Sequence, residues 1–129
     1  MKYLLKSVET KKFVFNNERR EQGEYKLSPK FGKKIDEISD NEFMLSLSFS
    51  LHNHDDIIAP FDIDLTISGS FILDECNIDE QNDFMNMNAV AILFPYLRSI
   101  LSTTLSSMMI QPIILPIVDA VQLFSSNDK

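Results

Sequence analysis

From Phe43 to Leu51 the chain alternates without a break. Phe43, Leu45, Leu47, Phe49 and Leu51 are separated by Met44, Ser46, Ser48 and Ser50. A second run follows, in which Phe61, Ile63, Leu65, Ile67, Phe71 and Leu73 share one parity and Asp62, Asp64, Thr66, Ser68 and Ser70 share the other. Successive side chains of a strand point to opposite faces. Both runs therefore predict strands, over about 41–53 and 60–74, with one greasy face and one small polar face. Such a sheet has to cover its greasy face with another layer. The intervening HNHDDIIAP carries turn residues and a proline, which predicts antiparallel neighbours joined as a hairpin. Gly69 sits mid-strand, where glycine marks a bulge or a close approach of another element. Tyr25, Leu27 and Phe31 suggest an earlier strand, with Pro29 favouring an edge position or a bulge. Lys6 to Phe15 would supply a fourth, joined to it by the hydrophilic link NNERREQG.

The pattern then changes period. DECNIDEQND reads as an acidic connector over 75–87. After it Leu93, Leu97, Ile100, Leu101, Thr104, Leu105, Met108 and Met109 recur at spacings of three and four, one face of a helix over about 91–110. Pro95 belongs near its first turn, where a missing N–H costs little. Gln111-Pro112 should end it. The proline-rich PIILPIV follows, and then a short helix from Val118 to about Phe124. The expected fold is α+β, one domain of 129 residues: a four-stranded antiparallel sheet, a long helix and a short C-terminal helix.

Residues 88–124 hold two charges, Arg98 and Asp119. A membrane span needs about 20 continuous apolar residues, and here prolines, Arg98 and a run of serines and threonines interrupt them. The expectation is no membrane insertion. The second helical face carries Ser99, Ser102, Thr103, Ser106 and Ser107 rather than the long charged residues of a helix in open water. Such a face is either plainly solvated or close to another backbone. The second reading makes Ser99, Ser102, Thr103 and Ser106 an oligomer interface, which would cover part of the apolar area that four strands and one helix leave open.

Charge is segregated. Residues 1–34 hold ten Lys/Arg against four Asp/Glu, and residues 35–87 hold thirteen Asp/Glu and no Lys or Arg. Basic and acidic strands can neutralise each other as sheet neighbours, or form a docking surface for a charged partner. The net charge of −7 disfavours nucleic acid. The single cysteine, Cys76, cannot form an internal disulfide. MKYLLKSVETKK lacks the roughly 7–15-residue apolar stretch of a signal peptide, so a cytoplasmic location is expected. His52-Asn53-His54-Asp55-Asp56 is the only metal-like grouping and reads more simply as a solvated turn, since zinc needs three or four rigidly held ligands. Cys76 has no histidine near it in sequence, and no phosphate-binding glycine loop or G-x-S-x-G motif is present. The chain reads as a non-enzyme without catalytic residues, metal or cofactor.

Two segments carry a family resemblance. Ala91-Ile-Leu-Phe-Pro-Tyr-Leu-Arg98-Ser-Ile100 resembles the ILFPYARE-I signature that opens the long helix of SecB export chaperones. Leu115-Pro-Ile-Val-Asp119-Ala-Val-Gln-Leu-Phe124 is similar to that family's downstream L-P-V-F-ALF segment, at a similar spacing, and ISGSFIL resembles its glycine-bearing last strand. The resemblance implies a homotetramer, a dimer of dimers, that binds unfolded polypeptides without nucleotide. It implies a hydrophobic client groove, carried over by position to Tyr25, Leu27, Phe31, Ile113, Ile114, Val121 and Phe124. It also implies docking to the motor SecA through an acidic sheet face. Asp64 matches one such position and Asp62 shares its strand face, whereas two further acidic positions are Lys12 and Asn16 here. SecB-like proteins also serve as chaperones of antitoxins in toxin–antitoxin systems, which makes one dedicated antitoxin partner the alternative to general export.

Overall fold

A computed structural model describes residues 1–17, 29–52, 61–109 and 120–125. Four strands are present: β1 (Lys2–Asn16), β2 (Lys30–Glu37), β3 (Glu42–Leu51) and β4 (Asp62–Asp74). They form one antiparallel sheet in the order β1-β4-β3-β2. The strands with the cleanest alternation, β3 and β4, are the two central ones. Their register pairs Leu47 with Ile67 and Phe49 with Leu65, so their large apolar residues share one face apart from Met44 and Ile72. Leu45, Leu47, Ile63, Leu65, Ile67 and Phe71 are each 0% exposed there. β1 and β2 lie at opposite edges.

The edge strands carry weaker patterns for physical reasons. In β1 the alternation slips twice, at bulges between Leu5 and Ser7 and between Thr10 and Lys12. Each bulge inserts a lysine, Lys6 or Lys11, and a charged, bulged edge resists uncontrolled strand pairing. β1 begins at Lys2, earlier than the alternation predicted. Pro29 directly precedes the described β2, the tolerated place for a proline at an edge strand. Tyr25 and Leu27 lie outside the described residues.

The layer that covers the sheet is a continuous helix, Ile78–Ser107. It consists of α1 (Ile78–Asp83), a π-helical turn (Phe84–Asn88) and α2 (Ala89–Ser107). The acidic stretch expected to be a connector is thus helical from Ile78. Its start is a capping box: the Asn77 side chain accepts from the Glu80 N–H at 2.8 Å, and the Glu80 carboxylate accepts from the Asn77 N–H at 3.2 Å. These two bonds satisfy N–H groups that a helix start otherwise leaves open, and Asp79 and Glu80 face its positive end. In the π turn the Ala89 N–H reaches back to the Phe84 carbonyl. The wider turn lets the adjacent Phe84 and Met85 both be buried. Pro95 consequently stands inside the helix rather than in its first turn. It denies the Ala91 carbonyl its usual helical donor, at an exposed position where water can replace it.

By length and composition the helix could cross a membrane. In the fold it is the core helix: Ala89, Val90, Leu93, Leu97, Leu101 and Leu105 are all 0% exposed against the sheet. The expectation for Gly69 is met by a close approach. A Cβ there would lie 2.9 Å from Leu93 Cδ1 and 3.4 Å from Leu5 Cδ1. Gly69→Ala should therefore destabilise the protein by about 1–3 kcal/mol, the cost of overpacking a filled core. Urea unfolding checks this; an unchanged midpoint would mean that Leu93 can swing aside.

Candidate client-binding and docking surfaces

The short helix α3 (Ala120–Ser125) packs beside β2 and α2. Its anchor is Phe124, 0% exposed. The Phe124 ring meets Phe31 edge-on at 5.4 Å and Phe94 edge-on at 5.8 Å, and Phe31 meets Phe49 at 5.5 Å. Edge-to-face geometry sets the positive ring edge against the negative face of its neighbour. Four rings from β2, β3, α2 and α3 thus form one chain, and two of them, Phe31 and Phe124, are groove candidates from the sequence. Within a single subunit both are part of the core, with Phe31 only 8% exposed. Val121, a third candidate, is half-buried, as are Leu123 on α3 and Ile35 on β2. Ile113 and Ile114, like Tyr25 and Leu27, fall outside the described residues. Leu123 and Ile35 were not singled out from the sequence. Leu123 belonged to the family-like segment, but Ile35 was hidden between charged neighbours of an edge strand.

The helix face turned away from the sheet holds Ala91, Pro95, Ser99, Thr103 and Ser106, all exposed, with Ser102 half-buried. It also carries apolar area that serine counting overlooked, because Tyr96 is 45% exposed and Ile92 and Ile100 are half-buried. A face of small and apolar residues without Lys or Glu permits close contact with a second helix.

The other face of the sheet is polar. Ser46 and Ser68 share a hydrogen bond of 2.8 Å, and Ser48 donates to the Gly32 carbonyl at 3.3 Å. At one end of this face Asp64 accepts from Ser50 Oγ at 2.8 Å and pairs with His52 Nε2 at 2.9 Å. Burial alone would raise the Asp64 carboxyl pKa. The hydrogen bonds from His52 and Ser50, helped by the charges of His52 and Lys12, outweigh burial and hold it below its ordinary value of 3.8. Asp62 lies on the same face, with His52 Nδ1 at 4.0 Å. His54, Asp55 and Asp56 lie outside the described residues. The basic and acidic blocks do meet as neighbours: Lys6 reaches Glu42 at 3.4 Å, Lys2 reaches Glu75 at 3.6 Å, and Lys34 reaches Asp36 at 3.7 Å. Cys76 is half-buried in a cleft of about 590 Å³ between the β2–β3 turn and the start of α1, among Glu37, Asp40 and Asp79.

Against this geometry, the family model described as "Preprotein translocase subunit SecB" matches residues 7–129. The chain belongs to the SecB family. A curated relative, the uncharacterized protein MJ0357 of Methanocaldococcus jannaschii, is 26% identical over 130 residues, covering 98% of this chain and 82% of that protein. Among solved structures, the SecB-like chaperone Rv1957 of Mycobacterium tuberculosis, in complex with a ChAD peptide from the HigA1 antitoxin Rv1956, superposes with a TM-score of 0.72. It is 14% identical, with 90% of each chain covered. The SecB-like arrangement expected from the two sequence motifs, four antiparallel strands followed by a long helix and a short one, is thus the observed fold.

Proposed function

We propose that this SecB-family chain is a nucleotide-independent holdase of the cytoplasm that binds unfolded or pre-secretory polypeptides. The observation that carries this reading is the chain of rings Phe49, Phe31, Phe124 and Phe94, which joins two of the groove candidates, with half-buried Val121, Leu123 and Ile35 packed against the same core. In this reading Tyr25, Leu27, Ile113 and Ile114 would complete a client groove with Phe31, Val121 and Phe124. An unfolded chain offers apolar side chains, and each Å² taken out of water contributes about 25 cal/mol. Apolar contact has no direction, so such a groove would accept many sequences. No bond has to be made or broken, and the chain acts by holding rather than by catalysis. The helix face of Ser99, Ser102, Thr103 and Ser106 would pack against another subunit in a homotetramer, a dimer of dimers.

Asp62 and Asp64 are the docking points this reading assigns to SecA. Docking there has to compete with His52 and Ser50 for the Asp64 carboxylate. A second reading is favoured by the antitoxin peptide held by the M. tuberculosis chaperone: the same groove would serve one antitoxin partner.

Suppression of aggregation separates the readings. A stoichiometric amount of the chain should keep several unrelated, chemically unfolded polypeptides soluble. Val121→Asp, at a half-buried position that tolerates a charge better than Phe124, should lose most of that protection while remaining folded. Protection of a single antitoxin and of nothing else would select the second reading. Full protection by the Val121→Asp variant would remove Val121 from the groove.

A further inference from the structure

His52 is the last described residue before the segment that joins β3 to β4, and its ring lies over the polar face of β4. Both ring nitrogens face carboxylates. Nε2 is 2.9 Å from Asp64 Oδ1 and Nδ1 is 4.0 Å from Asp62 Oδ1. A neutral imidazole has one N–H and one bare nitrogen, so it can donate to only one of the two; its lone pair is then turned toward the other, which repels it. An imidazolium donates from both sides. Protonation thus converts one attraction and one repulsion into two attractions. The other groups around the pair are Ser50 on β3, which bonds the same Asp64 oxygen, and Lys12 on β1, whose charge acts on Asp64. Asn16 stands opposite Asp62 on β1, and Lys30 stands opposite Ser50 on β2. The side chains of His52, Asp62 and Asp64 are 41%, 28% and 26% exposed, so protons reach all three freely.

We propose that His52 is a proton-operated latch, which ties the end of β3 to the outer face of β4 and covers Asp62 and Asp64 when charged. A cationic partner would then meet more negative charge on Asp62 and Asp64 at neutral pH than in mild acid; this consequence rests on the docking reading above, whereas the latch itself does not.

Amide hydrogen exchange, corrected for intrinsic rates, reads the latch without any partner. Across pH 5.5 to 7.5, where imidazole side chains titrate, carboxylates stay ionised. Protection of Leu51 and of Asp62 to Asp64 should be about threefold higher at pH 5.5, the scale of a partly exposed ion pair. His52→Gln should abolish the difference. Asp62→Asn keeps the His52–Asp64 pair, which still strengthens on protonation, and should reduce the difference without abolishing it. Equal protection at the two pH values in the wild type, or a pH difference that survives in the His52→Gln variant, would overturn the proposal. Binding of purified SecA at both pH values tests the consequence separately. A latch that works in a protein that ignores SecA would remove the docking reading and leave the latch standing.

Discussion

Phe124→Ala is expected to destabilise the protein by about 3–5 kcal/mol, the range for removing a fully buried aromatic ring. Phe124 is the residue through which α3 is held: it is 0% exposed and its ring lies between Phe31 and Phe94. Removing it leaves a cavity between α3, β2 and α2, and two edge-to-face contacts disappear with it, each worth about 0.5–1.5 kcal/mol beyond area. The effect should be local before it is global. Because α3 has only six residues, it cannot persist alone in water. The helix should lose its exchange protection while the central strands keep theirs. Denaturant unfolding, read by fluorescence and by exchange, checks both parts. A loss under about 1 kcal/mol would mean that α3 is not anchored through Phe124.

Ser102→Glu and Ser106→Glu are expected to break the homotetramer proposed above. A carboxylate introduced between packed helices costs several kcal/mol per copy, less at Ser102, which has Arg98 one helical turn before it, than at Ser106. Each interface contains at least two copies by symmetry, so the penalty repeats. Isolated subunits should still fold, because both positions face away from the sheet; Ser106 is exposed in the single chain. Molar mass from light scattering should fall from that of the oligomer to that of a smaller species in both variants, with the circular dichroism spectrum retained. Unchanged mass in both would mean that this face is solvated and that subunits meet elsewhere.

Legibility in the sequence followed locality. The alternation of Phe43 to Leu51 and of Phe61 to Leu73 sufficed for the central strands, because both have one wholly buried face and one small polar face. The start of the long helix was hidden by acidic composition, although Asn77 and Glu80 carried the capping signal three residues apart. The π turn at Phe84–Asn88 also shifts the helical phase, so apolar spacing becomes regular only after it. Strand order was not readable. No local pattern encodes the placement of β1 beside β4, at the edge opposite β2. At the candidate site, the sequence marked Phe31 and Phe124 as members of one surface, and they do touch. It could not tell that both are interior to the subunit and that the half-buried Val121, Leu123 and Ile35 lie nearer to solvent. His52 was read with its sequence neighbours as a turn; its partners Asp62 and Asp64 lie on the adjacent strand.

The measurement that bears most directly on the holdase reading is light scattering on size-separated protein, alone and mixed with a permanently unfolded, reduced polypeptide. A tetramer that takes up the unfolded chain into a discrete, heavier complex, without nucleotide, is the predicted result. A single species whose mass is unchanged by excess unfolded chain would contradict it, and would mean that the SecB fold serves a different task in this protein.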